Sequence, residues 1–346
     1  MFDALEIGLD WRGTLDTLST VPQSKCGTVN EHGHLRDHTG KVRSVLQIEE
    51  TVVDSSLGKL VWAKRLSAGE TAFKDFFVKR PSSQQHSKQE AVIQWLCHKA
   101  LASANLSSHC PAVFDIFTYK KSTWFSMAPI YNAPILDAYL KSLPTWRAKH
   151  ELNGHTLLKI ILQIAMCCHV LETIGFNHRD LKPDNILVKT DEVKKHILTL
   201  HNTTVTIASS PTAVLVDFGF ACLGPGKRPW IQAGDDVLST FDACPRVGRD
   251  IFMLLVFLLW RKDVQDSLLT DHLDFLKSSL RLTTDRWKQM VQINGNPADW
   301  IYSMITERGF ECPALTPLTW IQTCATRFPD LVSITNQPGS LTVLSS

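Results

Sequence analysis

Apolar residues in the first third of the chain come in short runs suited to strands. Val45, Leu46 and Ile48 form one, Val52 and Val53 extend it, and Leu60, Val61 and Trp62 form the next. A further run over 73–79 completes an expected antiparallel meander. Over 85–106 the spacing becomes helical, with Ala91, Trp95 and Lys99 on one side and Val92, Leu96 and Ala100 beside them. Strand composition returns at 113–119 and 123–128. After Pro129 helices dominate, most clearly at 135–142 and 156–174. Two short strands, 185–188 and 213–216, are expected to flank a long excursion with a turn at Ser209-Ser-Pro211. That excursion is longer than a hairpin needs and reads as a surface insertion near residue 217. Helices resume at Asp250 and fill much of 264–334.

The pattern implies an α+β chain, a small antiparallel sheet with one helix preceding a larger helical part. Residues 44–334 form one domain, divided near 128 into a small lobe and a large lobe. Residues 1–43 mix Gly, Ser, Thr, Pro and His without a period and read as an irregular extension; 335–346 read as a loose tail.

Charge changes the picture little. With 36 basic and 34 acidic side chains the net charge is +2, which gives no strong field for nucleic acid or an anionic membrane. The most apolar run, 251–260, is well short of the roughly 20 residues that span a bilayer, so a buried helix is expected and no membrane span. The first residues carry acids where a secretory signal would be basic and then apolar. Nine cysteines, an odd number without framework spacing and with Cys167 next to Cys168, suit free thiols in a reducing compartment, cytosol or nucleus. Cys26, His32, His34 and His38 cluster, but their spacing matches no compact zinc finger.

The chemistry concentrates in residues 178–185, His-Arg-Asp-Leu-Lys-Pro-Asp-Asn, and in Asp-Phe-Gly at 217–219 after an apolar Ala-Val-Leu-Val. A carboxylate, an ammonium, an amide oxygen and a second carboxylate are the groups that phosphoryl transfer needs. Asp180 could accept a proton from an acceptor hydroxyl. Lys182 could steady the transferring phosphoryl, and Asn185 and Asp217 could hold Mg²⁺ between phosphates.

These two motifs, in this order, resemble the catalytic and metal loops of the protein kinase family. The resemblance implies a bilobal kinase-like fold, ATP and Mg²⁺ as cofactors, and protein substrates. Lys79, in Phe-Phe-Val-Lys-Arg-Pro, then matches the lysine that holds the α- and β-phosphates, and Glu90 its ion-pair partner. Phe125-Ser-Met127 resembles the end of the small lobe, with Met127 guarding the back of the adenine pocket and Asp137 a candidate for the ribose hydroxyls. Asp250 matches an aspartate that braces the catalytic loop, with an ordinary helix cap as its other reading. Lys182, two residues after Asp180, is the serine/threonine pattern.

Three departures stand beside the match. The phosphate-covering loop aligns Val53, Ser55, Gly58 and Leu60 on a glycine-rich pattern, so only Gly58 keeps its glycine. No Ala-Pro-Glu occurs between 220 and 249, where Ala243-Cys-Pro245 is the nearest substitute. From Phe220 to Arg249 only Ser239 and Thr240 carry an aliphatic hydroxyl, so a largely constitutive enzyme is expected. These departures and the wording Asp-Phe-Gly-Phe-Ala-Cys resemble the divergent kinases of large DNA viruses. A pseudokinase that binds nucleotide or acts as a scaffold is the alternative.

Overall fold

The computed structural model describes residues 26–55, 58–67, 69–81, 87–144, 147–200, 203–224, 231–233, 244–306 and 316–336. A closed barrel comes first, built from β1 (Cys26–Val29), β2 (His34–Arg36), β3 (Val42–Ser55), β4 (Gly58–Ser67), β5 (Lys74–Pro81), β6 (Val113–Tyr119) and β7 (Ser122–Met127). Its strand order is β1-β2-β3-β4-β5-β7-β6, and β1 closes on β6 in parallel, Cys26 opposite Ile116. The irregular extension expected over 1–43 is therefore corrected for 26–43, which supply two strands and the start of a third. Strands of three and four residues holding Gly and His are too short to show a period, and the β1–β6 pairing is non-local.

Period-two alternation decides which side chains of β5 enter the barrel. Phe76 and Val78 point inward, packed with Leu35, Leu46, Val61 and Trp124, while Phe77 and Lys79 face outward. Helix α1 (Ser87–Ser103) then packs on β6 and β7, and buries Ala91, Ile93, Cys97, Ala100 and Leu101.

The helical part contains α2 (Leu136–Lys141), α3 (His150–Thr173), α4 (Arg249–Trp260), α5 (Lys262–Asp266), α6 (Thr270–Leu280), α7 (Thr284–Val291), α8 (Ala298–Thr306) and α9 (Pro317–Arg327). Helix α4 is buried on nearly all sides, as its unbroken apolar run requires, and α3 buries most of its residues between Leu157 and Glu172. The stretch 147–173 is long and apolar enough to cross a membrane by composition, yet 78% of its most apolar window lies inside the protein.

The excursion between the two short strands is corrected too. It is a hairpin of β9 (Ile186–Leu200) and β10 (Thr203–Leu215), and β13 (Val332–Asn336) adds on the far side of β10. Strand β13 also takes the first residues of the expected tail; 337–346 lie outside the described residues. Leu198, Val205 and Ile207 bury one face of the sheet, and β10 packs on α3. Ser209-Ser-Pro211 is not a turn but an irregular stretch of β10, where the register shifts between Ile207 and Ser210 and again between Pro211 and Thr212. Proline removes a ladder donor and belongs at such a bulge. Buried Gln163 of α3 repairs the gap: its Nε2 donates to Ser210 Oγ and Pro211 O, both at 2.9 Å, and its Oε1 accepts from Ala213 N at 2.9 Å.

Two short strands, β8 (Phe176–Asn177) and β11 (Cys222–Leu223), pair with each other, and β12 (Ile231–Gln232) pairs with β11. Gly175 makes the turn from α3 into β8 at φ +74°, and a Cβ there would lie 2.3 Å from Gly224 O. Gly175→Ala is expected to cost about 1–3 kcal/mol. A urea midpoint equal to that of the wild type would contradict this.

Cys222 and Cys244 form a disulfide. The expectation of free thiols fails for this pair and holds for Cys26, Cys97, Cys110, Cys167, Cys168 and Cys324; Cys312 lies outside the described residues. Cysteines 22 positions apart leave no spacing signal, and β11 is what brings them together.

Candidate active site

Lys79, on the outward face of β5, reaches across the cleft under the barrel. Its Nζ donates to Glu90 Oε1 of α1 at 2.6 Å and to Asp217 Oδ1 at 2.8 Å. Burial opposes its charge, yet the two carboxylates hold its pKa above the ordinary lysine range. Burial raises the pKa of Glu90 despite Lys79, whereas Asp217 is held below its usual range because Lys79 outweighs desolvation there. Asp217 sits at φ +62°, a strained backbone for a non-glycine residue. A Cβ on Gly219 would come within 3.3 Å of Asp217 Oδ1, so glycine leaves that carboxylate its space.

The loop after β8 carries the second group. Asp180 accepts from Lys182 Nζ at 2.9 and 3.1 Å, and from Asn185 Nδ2 at 2.9 Å. Asn185 Nδ2 also donates to Asp180 O at 2.8 Å, and Val216 N donates to Asn185 O at 3.1 Å, which ties this loop to the strand before Asp217. Both N–H bonds fall on Nδ2, which leaves the amide Oδ1 of Asn185 for the cavity wall it shares with Asp217.

That single amide oxygen and carboxylate suit Mg²⁺, which takes one or two protein oxygens and completes its shell with phosphate and water. Among the described residues no group of three or more His, Cys, Asp or Glu could hold a metal by itself.

Asp250, at the start of α4, fixes the loop from below. Its carboxylate accepts from His178 N at 2.7 Å, Arg179 N at 3.0 Å and Asn177 Nδ2 at 3.4 Å. Tyr302 of α8 donates to Arg179 O at 3.2 Å. Arg179 itself is fully buried, at φ +66°. His178 Nε2 is 3.0 Å from Val216 O, and its ring packs on Phe218.

Two cavities meet at Asp184, Asn185 and Asp217. The first, about 360 Å³, runs under the barrel past Leu60, Phe77, Lys79 and Met127 to Leu187. The second, about 500 Å³, lies on the helical side against Asp137, Lys182 and Trp260. Met127 ends β7 at the rear of the first cavity, where Gln94 Nε2 donates to its Sδ at 3.4 Å. Gly58 opens β4 opposite Ser55; residues 56 and 57 between them lie outside the described residues. Asp137 lines the second cavity rather than the first and is paired with Lys141 at 2.7 Å and with Arg261. Ser239, Thr240 and Ala243 lie outside the described residues.

The family described as protein tyrosine and serine/threonine kinase matches residues 46–210. That stretch belongs to the protein kinase family. The chain matches no curated protein. The kinase match includes Lys79, Glu90, Met127 and residues 178–185 and stops seven positions before Asp217. Asp217 joins the site through its bond to Lys79 and through Val216. The motifs did not reveal Asn177, Gln94 or Phe77, none of which titrates. The alternation of β5 was the one available signal, since it puts Phe77 on the same face as Lys79.

Proposed function

We propose that this chain is a serine/threonine protein kinase that transfers the γ-phosphoryl group of ATP to protein hydroxyls. The observation that carries the reading is the position of Lys79, bonded at once to Glu90 and to Asp217, residues that are 11 and 138 positions away in the sequence. That bridge puts a cation where the α- and β-phosphates would lie, beside the Asp180–Lys182–Asn185 cluster.

In this reading the nucleotide occupies the cavity under the barrel, the small lobe, and the protein substrate approaches across the helical side. Asp180, held by Lys182 and Asn185, accepts the proton of the acceptor hydroxyl. The acceptor oxygen bonds to the γ-phosphorus as the bond to the bridging oxygen breaks, and ADP leaves with that electron pair. Lys182 sits between Asp180 and the transferring group and offsets its charge. Asn185 Oδ1 and Asp217 would hold Mg²⁺, which would supply neutralisation of the phosphate charge. Lys182 also supports Ser or Thr, rather than Tyr, as the acceptor.

The alternative, a pseudokinase, draws on the lost glycines at Val53 and Ser55. Phosphate transfer from Mg²⁺-ATP to a generic basic protein separates the two. The wild type is expected to label Ser and Thr, and Asp180→Asn and Lys79→Met to lose the signal. Equal labelling by all three would end the enzyme reading, and phosphotyrosine alone would end the choice of acceptor.

A further inference from the structure

Asn177 is a buried amide where its strand needs none. It is the second residue of β8, pairs through its backbone with Cys222 of β11 and is 0% exposed. An apolar residue would serve that pairing equally well, as Phe176 does beside it. A buried amide is costly unless its donor and acceptor are bonded, so the partners of this one matter.

The side chain acts as a strand partner for Arg246. Asn177 Oδ1 accepts from Arg246 N at 2.6 Å and Nδ2 donates to Arg246 O at 3.2 Å; Nδ2 also reaches Asp250 Oδ2 at 3.4 Å. Arg246 O accepts from Arg249 N at 3.3 Å as well, so the amide grips the turn from which α4 starts. Two further bonds hold the same segment. Cys244 is joined to Cys222, the in-register partner of Asn177, and Gly248 N donates to Glu172 of α3 at 2.8 Å. The chain that leaves the site after Asp217 is thus brought back to β8 and clamped there over 244–250.

The clamp reaches Asp180 by a short route. Asp250 Oδ2 accepts from Asn177 Nδ2 and His178 N, while Oδ1 accepts from Arg179 N and from the Arg249 guanidinium. Without the amide, Oδ2 keeps only His178 N of these donors, and the turn that carries Asp250 is released from β8. A carboxylate freed on one side can tilt, and the backbone of 178–180 moves with it. Asn177 lines neither of the two cavities, so the nucleotide would not touch it.

We propose that Asn177 is a positioning residue for the transfer step: its amide locks the returning segment to β8 and, through Asp250, aims Asp180 at the acceptor hydroxyl. The proposal rests on the kinase reading, since it takes phosphoryl transfer as the step that Asp180 serves.

Single-turnover transfer to a generic basic protein and titration calorimetry, both with Mg²⁺-ATP on the full chain, test it in the wild type, Asn177→Leu and Asn177→Ala. Leucine fills nearly the same space without a hydrogen bond. Asn177→Leu is expected to bind Mg²⁺-ATP with unchanged stoichiometry and within about twofold of the wild-type affinity, while transfer slows about 10- to 100-fold, up to the effect of a misplacement near 1 Å. Stoichiometry separates aim from folding, because a variant inactive through unfolding loses nucleotide sites in the same proportion. Wild-type transfer by Asn177→Leu would overturn the proposal. So would a loss of transfer matched by an equal loss of nucleotide sites, which would make Asn177 structural only. If Asn177→Leu does not fold, judged by circular dichroism, Asn177→Ala, which only removes atoms, is read by the same two criteria; failure of both to fold would also overturn the positioning role. A wild type that transfers no phosphate would instead overturn the proposed function.

Discussion

Replacing Asp250 by Ala is expected to lower stability by about 3–5 kcal/mol and to cut phosphate transfer on the order of a hundredfold. The carboxylate is 2% exposed and accepts two backbone N–H groups and one side-chain amide of the loop 177–179, with Arg249 beside it. Its removal leaves buried donors without their acceptor, and each such donor costs about 1–3 kcal/mol. It also frees the backbone that aims Asp180, and a misplacement near 1 Å is enough for the rate effect. Asp250→Asn keeps one acceptor oxygen and should fall between the two. Urea denaturation and single-turnover transfer check both halves. If Asp250→Ala unfolds at the wild-type midpoint and transfers phosphate at the wild-type rate, the aspartate is only a helix cap.

The second large effect is a pH dependence centred on Glu172. This side chain of α3 is buried, accepts from Gly248 N at 2.8 Å and feels the negative field of Asp250; burial first, then Asp250, pushes its pKa up to about 8 against the helping bond from Gly248. The unfolded value is near the ordinary glutamate pKa of about 4.3. The sign follows from proton counting. Between those values the folded protein holds a proton that the unfolded chain has released, so stability is fully present below about 4.3 and is lost as pH rises through about 8. Each pKa unit corresponds to about 1.4 kcal/mol, so the loss amounts to a few kcal/mol. Glu172→Gln keeps an acceptor for Gly248 and removes the titration. It should flatten the fall in denaturation midpoint between pH 5 and 9, and a variant that keeps the wild-type slope would exclude Glu172 as its source.

The loop 178–185 is legible as a candidate site because the chemistry expected of it demands residue types in a fixed local order, and it places Asp180, Lys182 and Asn185 together. Lys79 and Glu90 were legible for a related reason, since a strand and the helix after it bring them together. Asp250 was legible through the unbroken apolar run behind it. What escaped was non-local. Cys222 and Cys244 meet where β11 pairs with β8, and β1 closes the barrel on β6, nearly ninety residues on, besides pairing with its neighbour β2. Pro211 and its serines gave a turn signal that Gln163, 48 residues away, turns into a bulge. Local composition cannot report a partner that arrives from a different helix.

The sheet of β9, β10 and β13 has a further consequence for the chain's vulnerability to self-association. Strands β9 and β10 are sequence neighbours, whereas β13 pairs with β10 across more than a hundred residues, Thr203 opposite Asn336. Closure of so long a loop is slow beside hairpin formation. While β13 is absent, during folding or after a proteolytic cut beyond Arg327, the free side of β10 is an open edge of unpaired amides and carbonyls. Its alternating Thr-Thr-Val-Thr-Ile has high strand propensity and no charge. The docking of five residues, Val332–Asn336, thus covers the uncharged edge of β10, while β9, the outer strand on the other side, carries charge at Lys189, Asp191, Glu192, Lys194 and Lys195.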